Sequence, residues 1–193
     1  MTDIFDRIKQ DHDKARELIG QIEDTTDRAA KTRQELFDRF KLELWTHNKV
    51  EEATFYARLE QKGDEDESLE AKNEHHMINS LIEELDTMPK DNTEWGQKFH
   101  ALAELLDHHM EEEEGEFFTL ARKDLSDKEA EDLGQRFDSR KKVVDGRCVR
   151  HAPGGDILHL VNSAGPPGCA GASTRPLCRN AQQRARQSWR KST

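Results

Sequence analysis

Apolar residues recur at spacings of three and four along four stretches of the chain, the pattern of amphipathic helices. The first stretch carries Ile4 or Phe5, Ile8, His12, Ala15, Ile19 and Ile22 on one face, and the second Phe37, Phe40, Leu44, His47, Glu51, Phe55 and Leu59. The third carries Ala71, His75, Ile78, Ile82 and Leu85, and the fourth Trp95, Phe99, Leu102, Leu106, His109, Glu113, Phe117 and Leu120. Helices are predicted over about 2–24, 28–61, 66–88 and 92–123. The breaks have chemical causes. Asp24-Thr25-Thr26-Asp27 offers N-caps to the second helix and Gly63-Asp64 ends it, while Met88-Pro89 stops the third before an Asp91-Asn92-Thr93 cap. Ser126-Asp127-Lys128-Glu129 reads as a capping box opening a short fifth helix to about 142. Short connections make neighbours antiparallel, so the fold class is all-α, an up-down four-helix bundle with a short extra C-terminal helix.

Each inward stripe is interrupted near its middle by a histidine, and on the second and fourth helices a glutamate follows one turn later on the same face. The two halves also repeat. HNKVEEATFY (47–56) aligns with HMEEEEGEFF (109–118) at an offset of 62, matching the histidine, both glutamate positions and the closing aromatic pair. DHDKARELIGQI (11–22) aligns with EHHMINSLIEEL (74–85) at an offset of 63, matching the acid, His12 with His75, Leu18 with Leu81 and Ile19 with Ile82. A duplicated helical hairpin implies an approximate two-fold axis, with His12, His47 and Glu51 facing His75, His109 and Glu113. The heights agree only loosely: His12 lies twelve residues before the predicted end of its helix and His47 nineteen after the start of the next, a mismatch of about two turns. The connection must therefore be longer than 25–27, or the helices offset.

Composition divides the chain. Of its 193 residues, 40 are acidic and 30 basic, for a net charge of −10. Residues 143–193 hold all three cysteines, four of the five prolines and eight basic against two acidic residues; that block carries +6, which leaves −16 on residues 1–142. Its one apolar cluster, Ile157–Val161, is too small to offset chain entropy, so this basic Gly/Pro/Cys-containing tail reads as disordered. Cys148, His151, His159, Cys169 and Cys178 match no zinc-finger spacing. A tail of this kind could bind nucleic acid, fold back on the acidic domain, or carry no evolved role, and the last is favoured. The acidic domain 1–142 is not expected to bind nucleic acid. No apolar run approaches a membrane span, and the charged start MTDIFDRIKQDHD lacks an export signal, so a soluble cytoplasmic protein is expected.

Four imidazoles and two carboxylates do not fill a bundle centre cheaply. A buried carboxylate without a partner costs on the order of several kcal/mol and prefers to be protonated. Two metal ions remove the difficulty, because each carboxylate can bridge both. Two bridging glutamates and two histidines give each ion four protein ligands; an oxo or hydroxo bridge makes five and leaves a sixth position for a small molecule. Mixed imidazole and carboxylate ligation suits iron, manganese or zinc. The candidate ligands are His12, His47, Glu51, His75, His109 and Glu113. His76, His100 and His108 fall off the stripes and read as surface residues, with His76 and His108 as the alternatives to their neighbours. The run Glu111–Glu114 reads as mostly solvated, with only Glu113 on the stripe, and Asp64–Glu67 as a charged loop and helix start.

The order His12, His47-x-x-x-Glu51, His75, His109-x-x-x-Glu113 resembles the hemerythrin-like, HHE cation-binding domain over roughly residues 4–122. The resemblance implies an antiparallel four-helix bundle around two iron ions bridged by Glu51 and Glu113, and chemistry with O2, nitric oxide or peroxide. One departure stands out. Oxygen-carrying members have a second histidine one turn further along the third helix, where this chain has Asn79, which weakens the case for a reversible oxygen carrier. Three functions follow: a di-iron protein that binds O2 or a related small molecule; a di-iron enzyme that decomposes peroxide or reduces nitrogen oxides; and a metal-free structural or partner-binding bundle. The first is favoured. No acid–base residue beyond the ligands lies on the stripes; Tyr56 is the best outside candidate for a proton donor, and a rim aromatic is its plainer role.

Overall fold

A computed structural model describes residues 2–151, with side chains through Val144. It contains helices α1 (Ile4–Glu23), α2 (Ala30–Glu51), α3 (Ala57–Glu60), α4 (Glu65–Thr87), α5 (Thr93–Glu112), α6 (Phe118–Asp124) and α7 (Asp127–His151). A π-helical turn at Glu52–Tyr56 joins α2 to α3 into one rod, and a second at Glu113–Phe117 joins α5 to α6. The four rods pack cyclically, α1 against α2, α2 against α4, α4 against α5 and α5 against α1, which is the expected antiparallel bundle. The tail expected to be disordered from residue 143 is helical as far as His151, and from residue 152 it lies outside the described residues.

Local chemistry explains most of the boundaries. The Asp3 side chain accepts from the Asp6 amide at 2.9 Å, and Asn92 accepts from the Glu94 amide at 2.9 Å. Gly63, at φ 113°, ends α3, since only glycine enters that region without strain. Ser126 and Glu129 form the reciprocal capping box: the Ser126 amide donates to Glu129 at 3.0 Å and the Glu129 amide to Ser126 Oγ at 3.3 Å.

The start of the second rod departs from the expected caps. No side chain of the 24–27 segment caps it; a 3-10 turn, Asp27–Ala29, precedes α2 instead. Thr25 and Asp27 serve the buried Arg33, which donates to Thr25 Oγ1 at 2.7 Å, Asp27 at 3.1 Å and the Lys90 carbonyl at 2.5 Å. This longer connection supplies part of the missing height. The rest comes from side-chain direction, because helical side chains lean toward their own N-terminus, so in antiparallel rods His12 leans away from the connection and His47 toward it. Their rings meet at 5.1 Å.

Two apolar layers bracket the middle of the bundle. One gathers Ala15, Ile19, Phe37, Phe40, Leu44, Ile78, Leu102 and Leu106 toward the 24–29 and 88–92 connections. The other gathers Ile4, Phe5, Ile8, Phe55, Leu59, Ala71 and Phe117 at the opposite end. All stripe positions are buried except Leu120, which is half-buried. The cause is the second π turn: its extra residue advances the helical register, so Phe118 and Ala121 turn inward instead.

The fifth helix is longer than its expected end at about 142, running to His151; after Pro89 the first proline that could stop it is Pro153. It lies across α1 and α2, burying Ala130, Leu133 and Phe137. Gly134 permits the close approach, since a Cβ there would sit 2.6 Å from the Thr2 carbonyl oxygen. Among the described residues no helix is long and apolar enough to cross a membrane.

Candidate metal centre

All six sequence-derived candidates point into the layer between the two apolar clusters. His12, His47, His75, His109, Glu51 and Glu113 are each at most 3% exposed. One ligand atom each from His12, His47 and Glu51 lie within 4.8 Å of one another, and so do those from Glu51, His75 and His109. Glu51 belongs to both groups. Its Oε2 lies 3.4 Å from His47 Nε2 and 3.5 Å from His75 Nε2. Glu113 Oε2 lies 3.3 Å from His12 Nε2, and His75 and His109 bring their Nε2 atoms to 3.1 Å. His76, His100 and His108 are exposed, and Asn79 is half-buried.

Each of the four imidazoles presents Nε2 inward and gives Nδ1 to a carboxylate. His12 Nδ1 donates to Glu114 at 3.0 Å, His47 Nδ1 faces Asp11 at 3.4 Å, His75 Nδ1 donates to Glu52 at 3.2 Å and His109 Nδ1 to Glu74 at 2.7 Å. Such carboxylate–histidine pairs fix ring orientation and tautomer for a metal ligand. They also obey the two-fold repeat. Asp11 and Glu74 each precede one candidate histidine and support another, while Glu52 and Glu114 each follow a candidate glutamate. Motif reading missed these four outer carboxylates, and placed Glu114 on a mostly solvated run, although it is half-buried and also accepts from Arg16 at 2.8 Å. The repeat held the signal: the acid before His12 and His75, and the second glutamate of each pair, are among its matched positions.

Tyr56 is not a rim aromatic. It is fully buried and its hydroxyl donates to Glu113 Oε1 at 3.0 Å. The π turn at Glu52–Tyr56 rotates it inward, and both π turns begin immediately after or at the candidate glutamates.

The charges are mutually arranged. Burial opposes charge on His47, yet Glu51 and Asp11 outweigh it and push the imidazole up to about 10. Burial would likewise raise Glu51, but His47 and then His75 pull it down to about 2. Asp11 follows the same logic, with His47 and Lys141 overcoming its burial and holding it below the usual carboxylate range. His75 is shifted down, chiefly by burial. Burial and the Glu113 charge raise Tyr56 well above its ordinary value, so it keeps its proton.

A cation fits this donor set on one direct observation. His12 Nε2, His47 Nε2, both oxygens of Glu51 and Glu113 Oε2 are buried without a hydrogen-bond partner. Buried polar atoms are seldom left so, and five of them facing one layer, all of metal-ligating type, match what hard or borderline metal cations would satisfy. The π turns and the inward imidazoles thus build a site that could hold metal ions, with an ordered shell of carboxylates behind it.

The family model for the hemerythrin HHE cation binding domain matches residues 3–121. A DNA nickase of Nostoc sp. is 25% identical over 154 residues, 80% of this chain but 43% of that protein, so the chain spans less than half of that relative's length. An uncharacterized hemerythrin-like protein of Schizosaccharomyces pombe is 28% identical over 79% of this chain and 76% of its own. In fold, the crystal structure of a hemerythrin HHE cation binding domain-containing protein from Mycobacterium kansasii superposes with a TM-score of 0.70 at 21% identity, covering 78% of this chain and 91% of that one.

Proposed function

The chain belongs to the hemerythrin HHE cation-binding family, and on that premise we propose that it holds two iron ions within the bundle and binds O2 or a related small molecule, nitric oxide or peroxide. The ligands in this reading are His12, His47, Glu51, His75, His109 and Glu113, with Glu51 and Glu113 shared between the ions. The observation that carries it is the set of four buried imidazoles: His12, His47 and His75 turn Nε2 toward Glu51 or Glu113, His109 brings its Nε2 to that of His75, and each Nδ1 rests on a carboxylate. When bound, the iron pair supplies Lewis acidity and redox electrons. The protein's part is to orient the ligands from four rods, keep bulk water out with the apolar layers above and below, and hold a proton at Tyr56 Oη. The test is the iron-to-chain ratio and visible absorption of the protein purified from iron-supplemented cells. About two irons per chain and a charge-transfer band are expected; well under one metal ion per chain would leave a structural bundle.

The second reading, turnover of peroxide or a nitrogen oxide at the same centre, is favoured by Tyr56, whose hydroxyl sits on Glu113 at 3.0 Å. Oxygen release on adding peroxide separates enzyme from binder, and Tyr56→Phe should slow turnover while leaving iron content unchanged. The nucleic-acid chemistry named for the Nostoc relative is not extended to this domain, because a net charge of −16 on residues 1–142 repels phosphate backbones.

A further inference from the structure

A cleft of about 320 Å3 opens between α4 and the α5–α6 rod. Glu70, Glu74, Glu112 and Glu116 line it, and at its buried end it reaches His109 and Glu113. No lysine or arginine is among its lining residues. On the neighbouring surface a third group of potential ligands, Glu74, His108 and Glu112, brings one atom each within 4.8 Å of the others. His108 Nε2 lies 3.2 Å from Glu112 Oε1, and these two side chains are 61% and 55% exposed. Glu74 links the outer group to the inner one, since it also accepts from His109 Nδ1 at 2.7 Å. The unpartnered Oε2 of Glu113, in a side chain only 2% exposed, belongs to the residue that closes the inner end.

We propose that Glu74, His108 and Glu112 capture a hydrated divalent cation at the surface and that the acidic cleft passes it inward to His109 and Glu113. This rests on the metal-centre reading above and adds the route by which the centre is filled. The chemistry is that of a staging site. Two carboxylates and one imidazole in open solvent bind a first-row divalent ion weakly, because its remaining positions stay hydrated. The glutamate-lined walls then raise the local cation concentration, and such focusing changes capture rates by factors of about 10 to 1000. The inner site wins at equilibrium because it offers more donors in a drier setting. Rate and final occupancy are therefore set by different residues.

The experiment uses the full chain stripped of metal and mixed anaerobically with Fe2+, with uptake followed against a chromophoric chelator. The parent is compared with a His108→Gln/Glu112→Gln double variant and a Glu70→Gln/Glu116→Gln double variant, all exposed positions outside the six-ligand set. The expected result is uptake slowed about tenfold in each, with the same final iron-to-chain ratio and melting temperature. Added salt should slow the parent more than the variants. Uptake within twofold of the parent in both variants would overturn the staging route, as would a loss of final iron content, which would make these residues ligands or supports. A parent that takes up no iron at all would instead sink the metal-centre reading itself.

Discussion

Lys141 places its Nζ 2.8 Å from Oδ2 of Asp11, 130 residues earlier in the chain. The same carboxylate oxygen faces Nδ1 of His47 at 3.4 Å. A helix outside the four-rod bundle, and beyond the matched residues 3–121, thereby reaches the support of a candidate ligand. Lys141→Met removes the nearest of three cations around a buried aspartate, leaving Arg7 at 3.6 Å and Lys14 at 3.7 Å, and Asp11 cannot move to water without releasing His47. The expected loss is about 1–3 kcal/mol, read as a fall of several degrees in melting temperature, together with weaker metal binding in a chelator competition.

Glu51→Ala deletes the one carboxylate common to both inner ligand groups. Bound metal should fall to well under one ion per chain, measured by elemental analysis. The far-ultraviolet circular dichroism should not change, because both Glu51 oxygens lack hydrogen-bond partners in the bundle and the helix does not depend on them.

The outer carboxylates should behave differently. Glu52→Gln keeps shape while weakening the acceptor for His75 Nδ1. Metal affinity should drop about 10- to 100-fold while the stoichiometry at saturating metal stays that of the parent. An affinity equal to the parent would deny Glu52 its supporting role.

Metal should stabilise the folded chain. A ligand at 100 times its dissociation constant adds about 2.7 kcal/mol, which for a domain of this size raises the melting temperature by roughly 5–11 °C. Adding a strong chelator should reverse the shift, and Glu51→Ala should show none.

Acid should loosen the fifth helix. Arg58, then the Ser126 amide and hydroxyl, hold the Glu129 carboxyl well below its ordinary range. Because the folded value is the depressed one, this contribution is complete above the unfolded value of about 4.3 and is lost as pH falls toward the folded one. Between pH 5 and pH 2, Glu129→Gln should flatten part of the fall in melting temperature that the parent shows.

The positions of helices and the burial of the candidate ligands were legible because both obey a period. Isoleucines, phenylalanines and leucines at spacings of three and four could face only one way, and the histidines interrupting them had to face the same way. The duplication adds a second constraint, which marks His12 and His75, and Glu51 and Glu113, as equivalent in the sequence itself. Gly63, Met88-Pro89 and Ser126-Glu129 announced their breaks through backbone chemistry alone.

What the period could not carry was anything that breaks it. The two π turns insert a residue each, which turned Tyr56 onto Glu113 and replaced Leu120 with Phe118 and Ala121 in the core; a 3.6-residue rule has no term for that insertion. The partners of each Nδ1 were equally hidden, since Glu114 reaches His12 across 102 residues and Asp11 meets Lys141 across 130. Outside the π turns, sequence alone determined which stripe residues face inward, because facing is a local property of a regular helix. Tertiary structure alone decided which of them meet, because distance between rods depends on connections, register and the packing of α7.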